Sequence, residues 1–128
     1  MSKEVVRSEA APAPFQGAPY NQAIKANGFV FVSGQLGLRP GDTQIEASTI
    51  QEQTELIMAN LRAILEEAGT SLDNLVKTTV FLQDLGDFAG MNEVYARHIG
   101  DRPPARSTVE VAKLPSGALV EIEAIAHL

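Results

Sequence analysis

Apolar or small residues at Ile50, Thr54, Ile57, Met58, Leu61, Ile64, Leu65 and Ala68 recur with a 3.6-residue period and form one stripe of a helix. Ser48 and Gln51 have the spacing of a capping box before it, and Gly69 supplies its stop. A second helix is expected after Asp87, an N-cap candidate, carrying Phe88, Met91, Val94, Tyr95 and Ile99 and ending at Gly100 and the Pro103-Pro104 pair. Runs rich in β-branched and aromatic residues predict strands over 5–7, Ala23–Ala26, 29–33 and 75–83. Asn27-Gly28 between two of these is a two-residue hairpin signal. Prolines and small residues make 10–20 an extended loop. Its Phe15 and Tyr20 leave two readings open, a plain linker or a loop packed over a groove.

The last quarter of the chain holds two more strand-like runs, Arg106-Ser107-Thr108-Val109-Glu110-Val111 and Val120-Glu121-Ile122-Glu123-Ala124-Ile125-Ala126. Pro115-Ser116-Gly117 between them predicts an antiparallel hairpin. If the apolar faces of its strands coincide, alternation brings Arg106 and Thr108 onto the face of Glu121 and Glu123. A bulge in either strand breaks that parity.

The order β, β, β, α, β, α, β, β defines an α+β class, a single layer of mixed, mostly antiparallel sheet with two helices on one face. Phe29-Val30-Phe31-Val32 is apolar on both faces, and Val76, Val80 and Leu82 oppose Leu75 and Phe81. Two helices cover one face only, so the other requires a partner. Self-association into a closed ring supplies one, with sites where subunits meet.

Residues 1–128 are expected to form one domain, since 13.7 kDa holds one sizeable core, and 45% hydrophobic content marks a globular chain. No run approaches the ~18 apolar residues of a membrane helix and no signal-peptide core follows Met1, so a soluble, cytoplasmic protein without membrane contact is expected. Zero cysteines remove thiol catalysis and thiolate metal sites. A net charge of -6 opposes a phosphate backbone, and the basic residues are scattered, so no nucleic-acid partner is expected.

Phosphate-loop, dinucleotide, nucleophile-elbow and zinc-protease motifs are absent from the sequence. His98 and His127 are the only histidines and read as surface or partly packed side chains, so neither metal nor cofactor is expected. Arg106 has two readings on its own, an ion pair with Glu121 or Glu123 that stitches the hairpin, or a planar fork that clamps a substrate carboxylate. In the second, Glu121 orients a water while Thr108, Ser33 or Tyr20 gives hydroxyl contacts. For those hydroxyls capping or backbone bonding is the commoner role, and for Asn92 an exposed helical position.

The run from Pro104 to Pro115, with Glu121-Ile122-Glu123-Ala124-Ile125-Ala126, closely resembles the signature of the reactive intermediate deaminases, the RidA or YjgF-like family. The likeness extends to Ala18-Pro19-Tyr20, Ser33-Gly34-Gln35, Val76-Lys77-Thr78-Thr79-Val80-Phe81-Leu82, and Asp87-Phe88 through Asn92 and Tyr95. It implies a chorismate-mutase-like α+β fold, a homotrimer with clefts at its subunit interfaces, and hydrolysis of enamine and imine acids such as 2-aminoacrylate and 2-iminobutanoate to 2-oxo acids and ammonia. By the same resemblance Arg106 binds the substrate carboxylate, Glu121 positions the attacking water, and Tyr20, Ser33, Asn92 and Thr108 line or support the pocket. Such chemistry needs positioning, a placed water and a proton donor more than a metal. Two departures stand out: Thr108 occupies a position where many close relatives carry cysteine, and Gly17-Ala18-Pro19-Tyr20 replaces the more usual Ile-Gly-Pro-Tyr. The competing readings are a trimer that binds small carboxylic acids without catalysis, as a sensor or holdase-like partner, and, less favoured, an endoribonuclease or translation inhibitor.

Overall fold

A computed structural model describes residues 2–128. Six strands, β1 (Glu4–Val6), β2 (Ala23–Ala26), β3 (Phe29–Gln35), β4 (Leu75–Leu82), β5 (Ala105–Glu110) and β6 (Val120–His127), form one sheet in the order β1-β2-β3-β6-β4-β5. All neighbours are antiparallel except β4 and β5, which run parallel. Helices α1 (Ile50–Glu67) and α2 (Phe88–His98) pack on one face. This is the expected α+β layer.

Local signals explain most of the elements. Asn27 and Gly28 both take positive φ, 52° and 83°, the geometry of the tight turn that joins twisted strands such as β2 and β3. The α1 stripe is buried at Ile57, Met58, Leu61, Ile64 and Leu65, each 0% exposed, against Val30, Val80 and Ile122 of the sheet. The expected cap at Ser48 and Gln51 sits one residue early. Thr49 is the N-cap, its hydroxyl accepting from the Glu52 N–H at 3.1 Å and donating to the Glu52 carboxylate at 2.9 Å. Nor does the Asp87 side chain cap α2, because a 3-10 turn over Leu85–Asp87 precedes the helix and Asp84 accepts from Gly86 N–H instead, at 2.7 Å.

The antiparallel hairpin expected at the C-terminal end does not form: β4 lies between β5 and β6. The Pro115-Ser116-Gly117 turn exists, but the connection it belongs to passes around the end of β4. Gln83 pegs that connection, its side chain accepting from Leu114 N–H at 2.8 Å and its own N–H donating to Leu119 C=O at 3.0 Å. Pairing through β4 also reverses the expected parity. Thr78 is in register with Arg106 on one side and Ala124 on the other, while Phe81 aligns with Val109 and Glu121. Arg106 and Thr108 therefore share the helix-side face, and Glu121 and Glu123 lie on the other. Val109, an apolar position expected on the core face, is 43% exposed on the open face of this edge strand.

Val76 also departs from its expected face. A register shift between Leu75 and Lys77 turns Leu75 into the core and leaves Val76 on the uncovered face, with Phe29 and Phe31. That face is bare: Phe29, Phe31 and Val76 are 38–44% exposed. The loop before β2 is no plain linker. The buried Gln22 amide donates to Ser8, Ala11 and Pro12 carbonyls and its oxygen accepts from Ser8 N–H, tying the loop to the sheet.

Candidate active site

The six residues marked out by the sequence fall into two groups. Arg106 and Thr108 project from β5 toward α2, and Phe88, Asn92 and Tyr95 occupy one stripe of that helix by their spacing of four and three. The Arg106 guanidinium lies 4.9 Å from the Tyr95 ring centroid and 5.5 Å from that of Phe88. Among the described residues it makes no ion pair. A cation held over neutral rings has no acidic partner to give up before it receives a carboxylate. The expected alternative, an ion pair with Glu121 or Glu123, is excluded within one chain by their opposite faces and by the two strand spacings, roughly 10 Å, that separate β5 from β6.

The second group surrounds the register shift in β3, between Val32 and Gln35. Glu121 reaches across from β6 and lays its carboxylate over Gly34, so closely that a Cβ there would overlap it. Only glycine permits that approach. Burial first, and the Glu123 charge second, hold the Glu121 carboxyl above the usual carboxylate range. The Ser33 hydroxyl donates to Asn21 C=O at 2.6 Å, which fixes the loop beside this seat. Tyr20 is 44% exposed, and its hydroxyl accepts from Phe15 N–H at 2.8 Å, leaving the phenolic proton available. Both hydroxyls thus have local structural bonds.

Gly34, Phe88 and Tyr95 escaped the list of site residues drawn from sequence. A helical stripe of aromatics normally signals core, and nothing in a sequence tells which ring will lie under an arginine. His98 bonds between the helices. Arg62 donates to His98 Nδ1 at 3.0 Å, so the other ring nitrogen carries the proton and donates to Glu55 at 2.8 Å, linking α1 to α2. Among the described residues no three His, Cys, Asp or Glu side chains gather in a metal-ligating group, and no helix is long and apolar enough to cross a membrane.

Fold and site together define a one-layer, two-helix α+β protein that presents an unpaired guanidinium at an edge strand. The chain belongs to the YjgF/RidA family: the family model described as Endoribonuclease L-PSP matches residues 9–128. It is 51% identical to a RutC family protein of Pyrococcus abyssi over 99% of this chain and 98% of that one. It is 47% identical to the chloroplastic Reactive Intermediate Deaminase A of Arabidopsis thaliana, over 100% of this chain and 67% of that protein. The structure of E. coli TdcF with bound serine superposes with a TM-score of 0.89 at 39% identity, covering 98% of each chain.

Proposed function

We propose that this chain is a cytoplasmic deaminase that hydrolyses small reactive enamine and imine acids, such as 2-aminoacrylate and 2-iminobutanoate, to 2-oxo acids and ammonia. The observation that carries the proposal is the Arg106 guanidinium, held on two rings and free of any acidic partner among the described residues. Arg106 receives the substrate carboxylate in two parallel hydrogen bonds. Glu121 accepts a hydrogen bond from a water aimed at C2 of the imine. As the water oxygen bonds to C2, the C=N π pair moves to nitrogen and a proton passes to Glu121. Glu121 returns that proton to nitrogen to give the carbinolamine, then relays the carbinolamine hydroxyl proton to the same nitrogen, and the C–N bond breaks to release ammonia and the 2-oxo acid. An enamine enters the same route after protonation at its terminal carbon.

Residues 1–128 act as one unit within a homotrimer. Arg106, Asn92 and Thr108 of one protomer face Glu121, Ser33 and Tyr20 of the next across the interface. The split between the two groups and the bare apolar face support this arrangement. The deaminase name of the Arabidopsis relative and the serine bound to TdcF, itself a small amino acid, agree with it.

The test is ammonia release from 2-iminobutanoate generated in solution. Arg106→Ala is expected to lose at least about 100-fold in kcat/KM with the fold intact, on the scale of two charged hydrogen bonds. Undiminished turnover by that variant sinks the clamp assignment. The description of the family model favours a second reading, RNA cleavage, which the net charge of -6 opposes. Cleavage that survives Arg106→Ala and repeated purification supports that reading. Heat on binding a 2-oxo acid without any ammonia release supports a carboxylate binder without catalysis.

A further inference from the structure

Tyr95 is 6% exposed and Thr78 is fully buried, yet each carries a hydroxyl. The two hydroxyls bond to each other at 2.7 Å. Thr78 on β4 is also in register with Arg106 on β5, so the residue that holds the ring lies beside the residue that lies on the ring. This closes a circuit of β4, Thr78, the Tyr95 ring on α2, the Arg106 guanidinium and β5.

Packing alone does not ask for this pair. Replacing both partners of a buried hydrogen bond by apolar groups of similar shape is often neutral, so two aliphatic side chains would fill the same space. What the hydroxyl bond adds is direction, because it fixes the ring in its own plane as well as in the core. An arginine has many rotamers, and bidentate recognition demands one plane. A neutral ring can set that plane without competing for the ligand. An acidic residue in the same place would pair with the guanidinium and exclude a substrate carboxylate. Burial, the largest influence, pushes the Tyr95 hydroxyl above its ordinary range against smaller opposite pulls from Thr78 and Arg106, so the ring stays neutral.

We propose that Tyr95, locked by Thr78, is a positioning residue that sets the plane of the Arg106 guanidinium and thereby its grip on a carboxylate. The inference rests on the reading of Arg106 as the substrate clamp. The relation between the two is asymmetric: the clamp can exist without the lock, but the lock has no purpose without the clamp.

The experiment is calorimetric titration of the whole protein with 2-oxobutanoate. Tyr95→Phe keeps the ring and removes its anchor; Thr78→Val removes the anchor from the other side. Each is expected to weaken 2-oxobutanoate about 3-fold, and the double variant by less than the product of the two, since both substitutions remove the Thr78–Tyr95 bond. Tyr95→Leu removes the platform and is expected to cost about 10-fold. In an Arg106→Lys background, where no planar fork remains, Tyr95→Phe and Thr78→Val are expected to cost less than about 1.5-fold.

Unchanged affinity in both Tyr95→Phe and Thr78→Val overturns the proposal, whether or not Tyr95→Leu folds. An equal loss in the Arg106→Lys background also overturns it, because the pair is then supporting the fold at large. Failure of the clamp looks different: wild-type protein that does not bind 2-oxobutanoate, or Arg106→Ala protein that binds it as tightly as wild type.

Discussion

The two halves of the candidate site handle charge in opposite ways. Arg106 rests on neutral aromatic rings that stabilise its charge without cancelling it. Glu121 is pressed over a glycine backbone and beside a second carboxylate, so its environment disfavours its charge. One half waits for an anion and the other is inclined toward a proton. That difference suits a reaction in which the carboxylate end of the substrate is held still while a proton travels at the imine end.

The strongest way to break the comparison is complementation. In the proposed trimer, Arg106→Ala and Glu121→Gln chains are each inactive alone. Mixed by unfolding and refolding together, they should regain up to about a quarter of wild-type activity, since random assembly pairs an intact Arg106 half with an intact Glu121 half at that frequency. No recovery in trimers shown to be mixed would mean that both halves act within one chain or that the assembly is different.

A smaller effect should isolate the Glu121 half. Gly34→Ala places a methyl where the carboxylate now lies and is expected to lower kcat about 30-fold while leaving 2-oxobutanoate affinity nearly unchanged. Loss of affinity with kcat preserved would reverse the roles of the halves.

The smallest effect is read by following the Glu121 carboxyl with carbon NMR as pH is varied. Glu123→Gln removes a neighbouring negative charge, so Glu121 should lose its proton at lower pH than in the wild type. Arg106→Ala should move it the other way, to higher pH, if a neighbouring protomer brings that cation to the Glu121 seat. If Arg106 acts only from the opposite face of its own sheet, the second shift should be near zero.

Much of the fold was legible because local chemistry dictates it. The α1 stripe, the Asn27-Gly28 turn and the β-branched runs each state their own conformation, and the structure places them within a residue or two of expectation. The C-terminal hairpin failed for a physical reason: a turn signal says that the chain reverses, not what it reverses around. Nothing local in residues 111–119 shows that β4 fills the gap, and Gln83, which pegs the crossing, lies about thirty positions earlier. The same omission put Arg106 on the face of the glutamates. Resemblance singled out six candidate residues, but only the sheet order reveals that they form two separate groups.

The sheet order also bears on how the chain folds. β6 is the latest strand along the chain, yet it lies between β3 and β4. Apart from β6, the strands β1, β2 and β3 make one hydrogen-bonded ribbon and β4 and β5 another. The two ribbons are joined only through this strand, so the fixed spacing of the Arg106 and Glu121 halves depends on pairings that span most of the chain, the non-local kind that slows folding.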